Sequence, residues 1–137
     1  MDKFTADFNS SLQKQVRGLK KVHSIDECEF ILHLFPIASR AGTDIDAAIR
    51  TVDQGAGSKP AVLGVLFPTN DPDKSIQDSN NSINRENTFA VDCVFNEDRD
   101  FMKCKRNKES LQKAAAHITS KLKAINKNPP GLKKENL

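Results

Sequence analysis

Residues 30–46 read FILHLFPIASRAGTDID, and this stretch decides how the rest of the chain is interpreted. Phe30, Ile31, Leu32, Leu34, Phe35 and Ile37 make a nearly continuous apolar run broken by His33 and Pro36, as a strand covered on both faces requires. Pro36 lacks a backbone N–H and should end the pairing. Ser39-Arg40-Ala41-Gly42 then forms a small-residue turn. Thr43 is placed to cap a helix, with Asp46 three residues on as a short-armed capping box. Ile45, Ala48, Ile49 and Val52 supply that helix's buried stripe. The pattern is strand, polar turn, helix.

Downstream, Asp53 to Ser58 is a Gly-rich polar break, and Lys59-Pro60 leads into a second apolar strand, Ala61 to Phe67. Two such strands joined through a helix predict a right-handed βαβ unit with parallel neighbours. Gly55 and Gly57 precede a strand rather than open a helix, and no Gly-Lys-Ser or Gly-Lys-Thr follows, so a phosphate loop of that kind is rejected. Residues 68–87 are long and polar and would hang over the carboxyl ends of the strands; a solvated loop whose Asn and Asp side chains make local turns is the simpler reading, and a lid is the alternative. Thr88 to Phe95 reads as a third strand of undetermined direction, with Asp92 its odd polar position.

At the start, Phe4, Phe8, Leu12, Val16 and Leu19 recur at helical spacing and predict an amphipathic helix ending near Gly18 to Lys20. Near the end, Leu111, Ala115, Ile118, Leu122 and Ile125 form the seam of another, for which Asn107 is the expected cap. The fold class is therefore α/β: a small, mostly parallel sheet of about three to four strands flanked by helices, a flavodoxin-like sandwich. Residues 1–127 are expected to be one domain, and 128–137, which opens Asn-Pro-Pro-Gly, a flexible basic tail.

No apolar run approaches the roughly 20 residues that cross a bilayer. Met1 to Gln15 carries an acidic second residue and no apolar segment before a cleavage site, which predicts a cytoplasmic protein. Cys28, Cys93 and Cys104 are widely spaced and odd in number, indicating neither a disulfide framework nor a zinc site. No metal and no cofactor is expected. Residues 1–100 carry 11 basic and 16 acidic side chains, whereas 101–137 carry 10 and 2. The basic end could attract an anionic surface, but no Phe, Tyr or Trp follows Phe101 to stack on bases, so nucleic acid is not expected as a partner.

One place has the makings of a binding site. The carboxyl end of a parallel strand beside a helix N-terminus offers backbone N–H groups and a favourable dipole to an anion. Ser39, Arg40, Gly42, Thr43, Asp44 and Asp46 lie there, and Arg85, Asn84 and Asn87 would reach it from the lid.

Asp26 to Leu32, Pro36, Gly42-Thr43-Asp44-Ile45-Asp46-Ala47-Ala48 and Lys59-Pro60-Ala61-Val62 together resemble nucleoside deoxyribosyltransferase-like and TIR-like α/β domains over about a third of the chain. That resemblance implies a deoxyribosyltransferase-like sandwich as the alternative fold type, and a role for Asp46 as the carboxylate that attacks or stabilises a sugar's anomeric carbon. The phrases SRAGTDID and NRENTFAVDC also resemble a group of small fish α/β proteins, some linked to innate responses.

Two functions follow as expectations. The first is a non-catalytic cytoplasmic domain that binds a partner protein or a small anionic ligand, with an unpaired sheet edge through which a homodimer could form. The second is an enzyme acting at a nucleoside-type N-glycosidic bond, with Asp46 central and Arg40 or Arg85 holding a phosphate. Convergence of Arg40, Asp46 and Arg85 on one pocket would favour the enzyme.

Overall fold

A computed structural model describes residues 2–22, 24–99, 101, 103–126 and 134–136. In chain order the elements are α1 (Asp2–Gln15), β1 (Lys20–Lys21), β2 (Phe30–Pro36), α2 (Ala41–Ala56), β3 (Ala61–Pro68), β4 (Thr88–Phe95), α3 (Lys105–Asn126) and β5 (Lys134–Asn136). Short 3₁₀ turns occupy Ile25–Glu27 and Ser79–Ser82. The sheet runs β1-β5-β2-β3-β4, and every pairing in it is parallel. Its body is β2, β3 and β4, with Ile31 opposite Ala61 and Ala61 opposite Thr88. The expected α/β class and the βαβ unit are present, and the direction of the third long strand is parallel.

Strand alternation sorts the core into two layers. Phe30, Leu32, Val62, Leu66, Val91, Cys93 and Phe95 face α1 and α3, where Phe8, Leu12, Val16, Leu111, Ile118 and Leu122 meet them. Ile31, Phe35, Leu63, Val65 and Ala90 face α2, against Ile45, Ala48, Ile49 and Val52. Each fully buried Leu, Ile or Phe contributes about 1.5–3 kcal/mol relative to exposure. Helices thus cover both faces, which is why the strands read as unbroken apolar runs. Gly64 sits beside Leu34 in the central strand pair, and a Cβ there would lie 2.8 Å from Leu34 Cγ. The glycine exists to let that leucine in.

Several boundaries differ from expectation. α2 begins at Ala41 with Arg40 as its N-cap residue, so Thr43 lies inside the first turn and caps nothing. α2 also runs through Gly55 to Ala56, ending on Gly57 at a positive φ (60°), because Val52 and its stripe keep the helix docked past the expected break. Asn107 lies within α3, 1% exposed, rather than at its cap. Lys134–Asn136, expected in a flexible tail, pairs with β1 and with Phe30–Ile31 of β2, since backbone pairing asks little of side-chain identity. Residues 128–133 and 137 of that expected tail lie outside the described residues, as does the side chain of Ile125 in the predicted seam.

The connection from β3 to β4 contains no α-helix. Because the strands are parallel, residues 69–87 travel the length of the sheet, from the carboxyl end of β3 to the amino end of β4, with Ile83 packed on the α2 side. They form a side wall along β4 and not a lid over the strand ends. Among the described residues no helix is long and apolar enough to cross a membrane.

Candidate functional site

At the β2–α2 turn two loop amides, those of Ala38 and Ser39, are already occupied. Asp44 folds back so that Oδ2 accepts from the N–H groups of Ala38 (2.8 Å) and Ser39 (2.9 Å), while Oδ1 accepts from the Ser39 hydroxyl at 3.2 Å. The protein's own carboxylate stands where an external anion would take these donors. The Ser39 and Ala38 amides hold the Asp44 carboxyl below its ordinary range. A depressed folded-state pKa contributes stability above the unfolded pKa, and that contribution is lost as pH falls through the folded value. Asp44→Ala is therefore expected to lower the thermal midpoint at neutral pH. The difference from wild type should vanish in acid below the folded pKa of Asp44, as melting curves across pH will read.

Gly42, Thr43 and Asp46 are exposed on α2, and Arg40 on the turn before it. Arg85 lies elsewhere. Its Nε donates to Asp53 Oδ1 at 2.7 Å, Nη1 to Thr88 Oγ1 at 2.8 Å, and Nη2 to the carbonyls of Gly57 and Lys59 at 2.6 Å each. These partners are the last turn of α2 and the amino ends of β3 and β4. At 1.5 Å rise per residue, Asp53 is about 20 Å along the helix from Arg40. Arg40 and Asp46 are thus at one end of the sheet and Arg85 and Asn87 at the other, so the three residues whose convergence would favour an enzyme do not meet. Arg85 and Asn87 do line a cavity with Asp53 and Gly57, but the guanidinium there is spent on structure.

A different place collects unsatisfied chemistry. Ala61 N–H donates to Asn87 O, and Thr69 N–H to Phe95 O, so the odd-numbered residues of β4 bond to β3. Its even-numbered residues must point their backbone groups at the outer edge. Side chains close that edge piece by piece. Asn80 Nδ2 donates to Ala90 O (2.9 Å) and its Oδ1 accepts from Ala90 N–H (2.8 Å). Asn107 does the same at Val94, accepting from its N–H at 2.8 Å and donating to its carbonyl at 2.7 Å, with a further bond to Phe101 O at 3.0 Å. Between them the Ser110 hydroxyl donates to Asp92 O. Each side-chain amide imitates one residue of a neighbouring strand.

Asp92 is the position left incomplete. Its N–H points to the same edge, and no donor–acceptor pair among the described residues includes it. Its carboxylate Oδ2 accepts from Ser79 N–H at 3.0 Å, whereas Oδ1 is buried and without a hydrogen-bond partner. The Ser79 hydroxyl, on a residue 3% exposed, leans on the same carboxylate yet also lacks a hydrogen bond of ordinary geometry. Burial raises the Asp92 carboxyl above its usual range and Asp78 adds to this, while Ser79 and Arg106 pull the other way. A cavity of about 300 Å³ opens here, lined by Asp78, Asn80, Asp92, Arg106, Ser110 and Lys113 among others. Arg106 leans across it, donating to Lys74 O at 3.3 Å. Asp78 is committed to Asn80, whose N–H and Nδ2 both donate to it.

The signal for this site was present in the sequence as the one charged residue inside an apolar strand, Asp92. Asn107 and Ser110, polar residues in line with the seam of α3, were a second signal.

Three further titratable side chains are withdrawn from solvent by burial. Burial pushes the Cys93 thiol up to about 12, and it lowers the pKa of both His33, stacked on Phe35, and His117, stacked on Phe89. Among the described residues no group of His, Cys, Asp and Glu could hold a metal ion. Comparison with protein-family models, curated proteins and solved structures finds no match.

Proposed function

We propose that this protein is a non-catalytic domain that binds a small ligand carrying an anionic group, in the cavity along the outer edge of β4. What supports the reading above all is the unused Asp92 N–H beside a polar cavity whose α3 wall carries Arg106 and Lys113. A backbone donor backed by two cations is a recurring way of holding a carboxylate or phosphate oxygen. The volume, about 300 Å³, is at the small end of the range for ligand pockets.

The test is an amide-resolved NMR titration at low salt with acetate, succinate and inorganic phosphate. Shifts are expected to cluster at Ser79, Asn80, Asp92, Arg106 and Lys113, and to disappear in Lys113→Glu, whose side chain is exposed and replaceable without disturbing the core. Shifts scattered over surface lysines, or none, would overturn it.

A further inference from the structure

The groups around the β4-edge cavity fall into three sets. Asp78 Oδ1 accepts twice from Asn80, Asn80 holds both backbone groups of Ala90, and the Ser110 hydroxyl is given to Asp92 O, so these are engaged with the protein itself. What stays available is a set of donors. They are the Asp92 N–H, the part of the Arg106 guanidinium not bound to Lys74 O, and the Lys113 ammonium, which makes no hydrogen bond among the described residues. The rest of the wall is apolar, from the half-buried Ile76 and Phe89 together with Ala90 and Val91.

Each set limits what fits. The donors call for an oxygen anion, and a planar carboxylate suits a guanidinium and a backbone N–H at once. Arg106 and Lys113 are matched in the lining by Asp78 and Asp92, two cations against two carboxylates. One further negative charge is tolerated there, whereas a second would meet like charges with no additional cation to offset it. The apolar wall offers no partner to a hydroxyl-rich or amine-bearing body, but it gains from covering Ile76 and Phe89. Asn80 closes the strand edge at Ala90 and Asn107 closes it at Val94, so the end of an extended peptide cannot follow β4 into the cavity without displacing an amide. The ligand is a free small molecule.

We infer that the β4-edge cavity takes a monocarboxylate with a compact apolar body, its carboxylate on the Asp92 N–H and the Arg106–Lys113 side and its body against Ile76 and Phe89. The inference rests on the proposed anion-binding function and narrows its ligand. A volume of about 300 Å³ admits a body the size of a phenyl ring.

Isothermal and amide-resolved NMR titrations at low salt, comparing benzoate with acetate, inorganic phosphate and neutral benzamide, test this. Benzoate is expected to bind ten-fold or more tightly than acetate or phosphate, and benzamide not to bind. Ile76→Ser should bring benzoate down to the level of acetate while acetate binding is unchanged; Lys113→Glu should weaken both. If benzoate binds no more tightly than acetate, if phosphate matches it, or if its advantage survives Ile76→Ser in full, the apolar monocarboxylate fails and the anion site stands. If none of the three anions binds, or benzamide binds as well as benzoate, both fail.

Discussion

Asn107→Ala is expected to destabilise the fold by about 3–5 kcal/mol. The amide is 1% exposed and serves three backbone partners: Val94 N–H, Val94 O and Phe101 O. Truncation strands all three in a site where water replaces them poorly, and each buried unsatisfied group costs about 1–3 kcal/mol. A domain of this kind has roughly 5–15 kcal/mol in hand, so the loss is a large part of the whole. Denaturant unfolding reads it directly. Asn107→Asp offers a control: it keeps an acceptor for Val94 N–H but faces two carbonyls with a carboxylate, so its stability deficit should shrink in acid, where the protonated form can donate again.

Arg85→Ala should cost about 2–4 kcal/mol, and Arg85→Lys should recover little of it. The guanidinium joins the end of α2 to the starts of β3 and β4 through four bonds from a side chain only 8% exposed. Asp53, its ionic partner, is 53% exposed, so the charge pair itself contributes little. The carbonyls of Gly57 and Lys59 carry most of the effect, and a lysine ammonium cannot present the same planar fork to them. Because the loss is not chiefly ionic, it should persist in high salt. A deficit that disappears in molar salt would return the weight to Asp53.

The fold was legible wherever one periodicity ruled. The apolar runs at 30–37, 61–67 and 88–95 became β2, β3 and β4, and the four-residue repeat at Phe4, Phe8 and Leu12 and the four-and-three spacing at Leu111, Ala115 and Ile118 became the helices of one layer. Sequence fell short where a side chain does the work of backbone. Asp44 was expected to contact a ligand, but only coordinates reveal that its short arm curls back onto Ala38 and Ser39. Arg85 lies at the amino ends of β3 and β4, which the length of the 68–87 connection does not disclose, because length alone does not say that the segment travels the whole of β4. Asn80 and Asn107 look like turn and cap residues, as asparagine usually is. Their use as surrogate strand residues needs β4 to be an edge, which no local pattern announces.

That surrogate edge bears on how the protein behaves in a crowded solution. Strand-by-strand growth into fibrils or swapped assemblies requires a margin of bare N–H and C=O groups to copy from. Along this flank a growing chain would find carboxamides already seated at Ala90 and Val94, and would have to evict both before its first rung formed. The same two asparagines that frame the cavity therefore act as stoppers against templated polymerisation, so loss of either amide should show as shorter lag times in aggregation as well as in altered binding.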